Sequence, residues 1–317
     1  MTEIEIEGAK CLVTGGAGFI GSHLCDRLLD RGAEVVCLDN LLATRGSDKN
    51  IAHLKGNSSF SFLQQSVEES LPADLMQSIN FVFHQAASKN TVSIEDPIND
   101  LAVNAAATLK LLLLAKEAGV TKFIHASTGS VYGGQFSGEE RKKIRDPVSF
   151  YGVSKAAGEL YCRVVNEIYG LDYTVLRYFH VIGTRQDSSE VGGVLPIFVR
   201  RSIEGKPIVI YGTGEQTRSF TSVHDVVEAN IVAATLGDQS RGFFDCASGI
   251  KVTIQQLADY VQKKMDNDVE IKYADWRPGD IKKFEIDNSD VIDWGVSFNT
   301  DWGSIVDEVI ENMRQTS

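Results

Sequence analysis

Leu12-Val13-Thr14-Gly15-Gly16-Ala17-Gly18-Phe19-Ile20-Gly21 reads as an apolar strand that runs into a glycine-punctuated turn and then opens a helix. Glycines at 15, 18 and 21 permit a tight strand-to-helix turn whose backbone amides, at a helix N-terminus, can approach a pyrophosphate. Apolar periodicity continues the helix from Ile20 to Asp30, and a second strand-like run spans Glu34 to Asp39. Asp39 stands eighteen residues beyond Gly21, with Asn40 after it. A carboxylate at the end of the second strand accepts hydrogen bonds from the adenosine ribose hydroxyls and repels a 2′-phosphate, which favours NAD over NADP.

Beyond this unit the alternation continues, with apolar runs at Phe81 to His84, Lys122 to Ser127 and Tyr173 to Arg177. Strands alternating with helices predict an α/β fold: a Rossmann-type doubly wound parallel sheet over residues 1–178, which also receives 220–247. A Gly-, Ser- and Asp-rich loop at Gly183 to Gly193 marks the crossover to a smaller C-terminal α/β substrate lobe, 179–317. That lobe carries shorter elements at Val194 to Glu204, Pro207 to Tyr211 and Ile254 to Met265. The Asp100 to Ala118 segment is apolar around most of its circumference, which predicts a helix covered by the sheet on one side and by a second subunit on the other. The Tyr151 to Tyr169 helix is the second candidate for that homodimer interface.

A net charge of −12 over 317 residues disfavours nucleic acid and anionic membranes as partners, so any anionic ligand needs a locally basic pocket. No window reads as long and apolar enough to cross a bilayer, and the acidic start Met1-Thr2-Glu3-Ile4-Glu5 lacks a signal-peptide pattern, so a cytoplasmic location is expected. Five cysteines without Cys-x-x-Cys or Cys-His spacing predict ordinary buried side chains and no metal site.

Tyr151-Gly152-Val153-Ser154-Lys155 supplies the chemistry. Residues four apart share a helix face, so an ammonium beside the phenol would stabilise a phenolate and turn a poor base into a useful one. Ser127-Thr128 precedes the pair by about two dozen residues. A second copy of the spacing, Tyr260 and Lys264, falls in an amphipathic stretch without such context and is read as coincidence.

These stretches together resemble the extended short-chain dehydrogenase/reductase family, in its branch of NAD-dependent nucleotide-sugar epimerases and dehydratases. The resemblance rests on Gly15 to Gly21, Asp39-Asn40, His84-Gln85-Ala86-Ala87, Asn104, Ser127-Thr128 leading to Val131-Tyr132-Gly133, Tyr151/Lys155, Leu176-Arg177-Tyr178-Phe179, Gly212 to Gln216 with Arg218 and Asp225, and Arg277-Pro278-Gly279-Asp280. It implies that Tyr151 is the acid/base and that Lys155 lowers the tyrosine's pKa and holds the nicotinamide ribose. It also implies that Thr128 bridges Tyr151 to the sugar oxygen, with Ser127 in support. Phe19, Ile20, Asn40, Ala86, Ala87 and Asn104 join the glycine loop around the cofactor, while Arg218 and Arg277 meet the nucleotide diphosphate and Asp280 joins them in the substrate site. Where the family commonly places asparagine after Arg-Tyr-Phe, this chain has His180, either a sugar or phosphate contact or a packed histidine. Phe284 stands near a position that is small in epimerases for N-acetylated sugars, and so favours sugars without a 2-acetamido group. Arg185 is either a partner for a sugar carboxylate or a solvated loop residue.

Members of this branch begin by removing the C4 hydroxyl proton and a hydride, leaving a transient 4-keto sugar. The 4,6-dehydratases place an Asp-Glu pair just before Val-Tyr-Gly, and UDP-glucuronate decarboxylases a glutamate at the second of these positions. Here the two are Gly129 and Ser130. The minimal set Tyr151, Thr128 and Lys155 implies a UDP-hexose 4-epimerase, of UDP-glucose/UDP-galactose or UDP-glucuronate type. The alternatives are a dehydratase or decarboxylase whose carboxylate comes from elsewhere and, remotely, a non-catalytic NAD-binding sensor, a class that typically loses the Tyr/Lys pair.

Overall fold

In the computed structural model, which describes residues 5–42, 47–133, 145–190, 192–276 and 285–316, the chain begins with β1 (Lys10–Thr14), α1 (Phe19–Asp30), β2 (Glu34–Asp39), α2 (Ser47–Asn50), β3 (Phe60–Gln64) and β4 (Phe81–His84). It continues through α3 (Asn90–Ser93), α4 (Pro97–Leu101), a π-helical turn (Ala102–Ala106), α5 (Ala107–Glu117), β5 (Lys122–Thr128), a 3₁₀ turn (Gly129–Tyr132), α6 (Phe150–Tyr169) and β6 (Asp172–Tyr178). The remainder comprises β7 (Val181–Ile182), α7 (Val194–Ile203), β8 (Ile208–Tyr211), β9 (Thr217–Arg218), β10 (Thr221–Ser222), α8 (Val223–Thr235), β11 (Gly242–Cys246), β12 (Val252–Thr253), α9 (Ile254–Met265), β13 (Ile271–Ala274), α10 (Ser289–Asp293) and α11 (Trp302–Thr316).

One seven-stranded sheet in the order β11-β6-β5-β4-β1-β2-β3 organises the molecule, and all its pairings are parallel. Both faces are covered, so β1 is apolar at successive residues: Cys11 and Val13 pack with Leu24 and Leu28 of α1, while Leu12 packs with Leu111 of α5 and Val165 of α6. Strand order reverses between β1 and β4, the topological switch point at which open α/β sheets bind ligands beyond the strand ends. A third core, with Leu195, Phe198, Ile210, Leu257 and Val306, gives the C-terminal elements their own interior.

Residues 223–246 rejoin the large sheet: α8 packs beside α1, and β11 extends the edge beyond β6. The predicted single helix Asp100 to Ala118 is instead α4, a π turn and α5. Asn104 sits in the π turn and is fully buried. The composite helix Pro97–Glu117 is, by length and composition, long and apolar enough to cross a bilayer, where no such window was expected from the sequence. Half of it is buried in the fold, and it carries the buried polar residues Asp100 and Asn104.

Candidate active site

A cleft of ≈ 760 Å³ lies at the carboxyl ends of the strands and is lined by Gly15, Gly18, Phe19, Ile20 and Gly21, by Asp39 and Asn40, and by Ala86 and Ala87. The glycine loop is packed so closely that side chains are excluded. A Cβ on Gly15 (φ 67°) would sit 2.7 Å from the Ala86 amide nitrogen, and one on Gly21 2.1 Å from the Gly15 carbonyl oxygen. Asp39 accepts from Ala17 N–H at 3.0 Å and Leu41 N–H at 2.8 Å, which ties the end of β2 to the loop. Burial raises its carboxyl above the usual range, against the pull of these N–H groups. The cradle kept open by glycine, the acid beside it and a buried Lys155 Nζ with no hydrogen-bond partner fit a dinucleotide.

Opposite the loop, Ser149 caps α6 by accepting from Gly152 N–H at 3.1 Å, a bond worth about 1 kcal/mol. A Cβ on Gly152 would lie 2.9 Å from the Ser130 carbonyl oxygen, so glycine lets α6 start against the 3₁₀ turn that follows Thr128. Tyr151 is thereby hydrogen-bonded to Thr128. Thr128 Oγ1 in turn accepts from Ser130 N–H at 3.1 Å. One turn along α6, Lys155 is 1% exposed. Burial pushes the Tyr151 phenol up to about 12, the Thr128 bond opposes this, and the Asp100 carboxylate adds to the rise. The Tyr151 phenol thus stands above its ordinary value, because burial outweighs the bond with Thr128. Burial also holds Lys155 down to about 8, against the charges of Cys162, Glu159 and Asp100.

A buried chain of hydrogen bonds braces the two halves of the cleft. Ala86 N–H donates to Thr14 Oγ1 at 3.3 Å, Thr14 donates to His84 Nδ1 at 2.7 Å, and His84 Nε2–H donates to Thr108 Oγ1 at 2.9 Å. Thr108 ends the chain by donating to the Asn104 carbonyl at 2.7 Å. The chain's direction fixes the imidazole tautomer. Burial, aided by the Lys155 charge, holds His84 at about 3 and therefore neutral.

Several candidates stand elsewhere. Asn104 does not line the cleft: its Oδ1 accepts from Ser88 N–H at 2.9 Å, and its Nδ2 donates to Asp100 at 2.8 Å and Ser154 at 3.2 Å. Its expected cofactor contact is corrected to one of bracing, since a fully buried side chain bonded to three residues is committed to the protein. Ser127 lines the cleft, yet its hydroxyl donates to Glu159 at 2.6 Å. His180, at φ 42°, packs edge-on to Phe220 outside the cleft lining. Burial and the Arg218 charge hold its imidazole well below the usual range. Arg185 pairs with Asp26 at 2.8 Å, away from the cleft lining. Arg218 lines a second cavity of ≈ 250 Å³ together with Ser219, Lys251 and Glu285. Arg277, Asp280 and Phe284 lie outside the described residues. Tyr260 and Lys264 both bind Asp307, at 3.0 and 2.6 Å, on the C-terminal lobe.

Sequence reasoning overlooked Asp100, which is 1% exposed and acts on both Tyr151 and Lys155. Its one signal was the four-residue spacing to Asn104 within an apolar helix. It also passed over Ser88, Lys89, Asn90 and Gln186, all of which line the cleft.

Residues 11–244 match the model of the NAD dependent epimerase/dehydratase family. The chain is 34% identical over 285 residues to a putative UDP-glucose 4-epimerase of Methanocaldococcus jannaschii, covering 87% of this chain and 89% of that protein. It is 31% identical over 271 residues to UDP-glucuronic acid decarboxylase 1 of Arabidopsis thaliana, covering 83% of this chain and 60% of that protein. Among solved structures, the UDP-glucuronic acid 4-epimerase of Bacillus cereus, in complex with UDP-glucuronic acid and NAD, superposes with a TM-score of 0.91 at 29% identity, covering 97% of this chain and all of that one.

Proposed function

The chain belongs to the NAD-dependent epimerase/dehydratase family, and from that premise we propose that it inverts C4 of a UDP-hexose, with Tyr151, Thr128 and Lys155 as its catalytic residues. The observation that carries this reading is the ground before Val131-Tyr132-Gly133. A Cβ on Gly129 would lie 2.3 Å from Phe179 Cε1, so a carboxylate-bearing side chain has no room there. The Ser130 hydroxyl accepts from Thr128 at 3.2 Å and offers no carboxylate of its own. Among the described residues, Asp100 acts on Tyr151 but is turned to Asn104 and Ser154 and does not line the cleft, while Asp187, which does line it, is taken up by Lys89 and Ser189. Elimination of water needs a further acid and base at the sugar, whereas inversion at C4 needs only one proton relay.

Bound NAD supplies the hydride acceptor and donor for C4. The protein's part is proton transfer and positioning. Tyr151 takes the C4 hydroxyl proton through Thr128 and returns it after the sugar has turned its other face. Lys155, buried and without a hydrogen-bond partner, holds a ribose and supplies the positive charge that favours phenolate. The glycine loop and Asp39 hold the dinucleotide, and Arg218, with Arg277, receives the diphosphate. Arg218 already shares its cavity with Lys251, which suits an anionic group on an otherwise acidic protein.

We also infer a homodimer. Ile98, Leu101 and Leu113 on α4 and α5, and Val153, Leu160 and Ile168 on α6, are exposed apolar side chains on helices that pack against one another. The five buried, unpaired thiols suit the reducing cytoplasm.

Incubation with UDP-glucose, UDP-galactose and UDP-glucuronate, followed by product mass and proton couplings at C4, tests the reaction. Inversion at unchanged mass is expected, and loss of water or carbon dioxide would overturn it.

A further inference from the structure

We propose that Lys89 and Asp187 form a specificity pair which makes the cleft select a neutral hexose over a uronate; this rests on a nucleotide sugar occupying the cleft, as proposed above. Lys89 follows the Ala86-Ala87 wall, Asp187 lies in the loop after β7, and their ion pair of 2.7 Å joins two segments 98 residues apart. Both residues line the cleft. The pair is half-sheltered, with side chains 33% and 13% exposed, so solvent screens it incompletely.

Asp187 is well fixed. Its second oxygen accepts from Ser189 N–H at 2.9 Å. Burial alone would raise its carboxyl, but the bonds from Lys89 and Ser189 bring it below the usual range, so it stays ionised near neutrality. Beside the pair, Asn90 Oδ1, Gln186 Oε1 and Ser88 Oγ are buried without a hydrogen-bond partner, and all three residues line the cleft. Amide and hydroxyl groups of this kind match sugar hydroxyls, which both donate and accept.

Among the described residues, a carboxylate on the sugar would find one unneutralised cation in the cleft, Lys155, which the proposed cofactor ribose takes up. Lys155 lies one helical turn from Tyr151, Lys89 is already satisfied, and Arg185 is committed to Asp26. It would also meet Asp187, whose like charge disfavours it. A neutral hexose meets a donor in Lys89 and an acceptor in Asp187 with no net charge between them.

The experiment is calorimetric titration of the full chain, its NAD content matched between samples, with UDP-glucose and UDP-glucuronate, in the wild type and in Asp187→Asn and Lys89→Met. The wild type should bind UDP-glucose at least about tenfold more tightly. Asp187→Asn frees the ammonium and should shift the ratio about tenfold toward the uronate, whereas Lys89→Met bares the carboxylate and should shift it the other way. Opposite signs are the diagnostic, because mere loosening of the loop would move both variants alike. Equal wild-type affinities, unchanged ratios or shifts of the same sign would overturn the pair's role. The C4 configuration of the recovered sugar is read separately. Loss of water from UDP-glucose at the expected ratios would sink the epimerase reading alone, and C4 inversion with unmoved ratios would sink the specificity pair alone.

Discussion

Tyr151 has a proton it holds too tightly for a base at neutral pH, since burial pushes its phenol up to about 12. Anything that favours phenolate should therefore matter greatly, and removing the hydroxyl should matter most. Tyr151→Phe is expected to lower kcat by about 10²- to 10⁴-fold with little change in nucleotide-sugar affinity, measured by turnover and titration on the same preparation. Asp100 offers a finer test. Its carboxylate raises Tyr151 and also raises Lys155, so Asp100→Asn should lower both. The phenolate then forms at lower pH and the ammonium is lost at lower pH. Both limbs of the pH profile of kcat/KM should move to lower pH, and a profile that stays in place would refute the coupling. Tyr151 and Lys155 were legible in the sequence because a helix repeat places residues four apart on one face, whereas the role of Thr128, on β5, came from the family resemblance. Asp100 escaped because its importance comes from a fold that brings residue 100 against residues 151 and 155.

Helix α6 works as one piece, because the face that carries Tyr151 and Lys155 continues one turn on to Glu159. That carboxylate is fully buried and accepts from Arg177 at 2.8 and 2.7 Å, Arg145 at 2.8 Å and Ser127 at 2.6 Å. It pins α6 to the ends of β5 and β6. Removing its charge leaves two guanidinium groups facing a neutral amide, so Glu159→Gln is expected to cost about 3–5 kcal/mol in denaturant unfolding. The pH dependence has a definite sign. Burial would raise the Glu159 carboxyl, but the Arg177 charge and hydrogen bonds prevail and hold it below the usual 4.5. Its stabilisation is thus present above that value and is lost as pH falls through the lower folded one, so the variant should show a flatter acid limb of stability. Just past that end of β5, Gly129→Ala drives a methyl group into the Phe179 ring and is expected to destabilise by about 1–3 kcal/mol, partly recovered by Phe179→Leu; additive losses in the double variant would contradict the clash. The runs read from alternation and periodicity mostly end within a residue or two of the observed elements, but α8, β11, β13 and α11 were not read from the sequence. Nor was the π turn, because α-helical periodicity carries no mark of one inserted residue. The half-exposed edge strand β3 also escaped, since Phe60–Gln64 lacks an apolar run.

At the scale of the whole molecule, what stayed hidden in the sequence was pairing over long separations. Lys89 with Asp187 and Asp26 with Arg185 are ordinary surface charges until the sheet folds. The exposed apolar faces of α4, α5 and α6 were half legible, since excess apolar circumference predicted a cover but not its shape. Ile98 is 74% exposed and Ile168 63%, a cost in water that a second copy of the same face would remove. A twofold arrangement is the natural solution, because one self-complementary patch then closes on itself and leaves no open end. Sedimentation should give twice the 34.7 kDa chain mass, and Leu160→Glu with Val164→Glu should return the monomer by placing two charges within the patch. Because α6 also carries Tyr151 and Lys155, the split protein should lose turnover along with association. Its thermal midpoint should fall and cease to depend on protein concentration, since the subunit contact acts as a ligand of the folded state. A wild type that sediments as a single chain at micromolar concentration would place the cover for this face elsewhere.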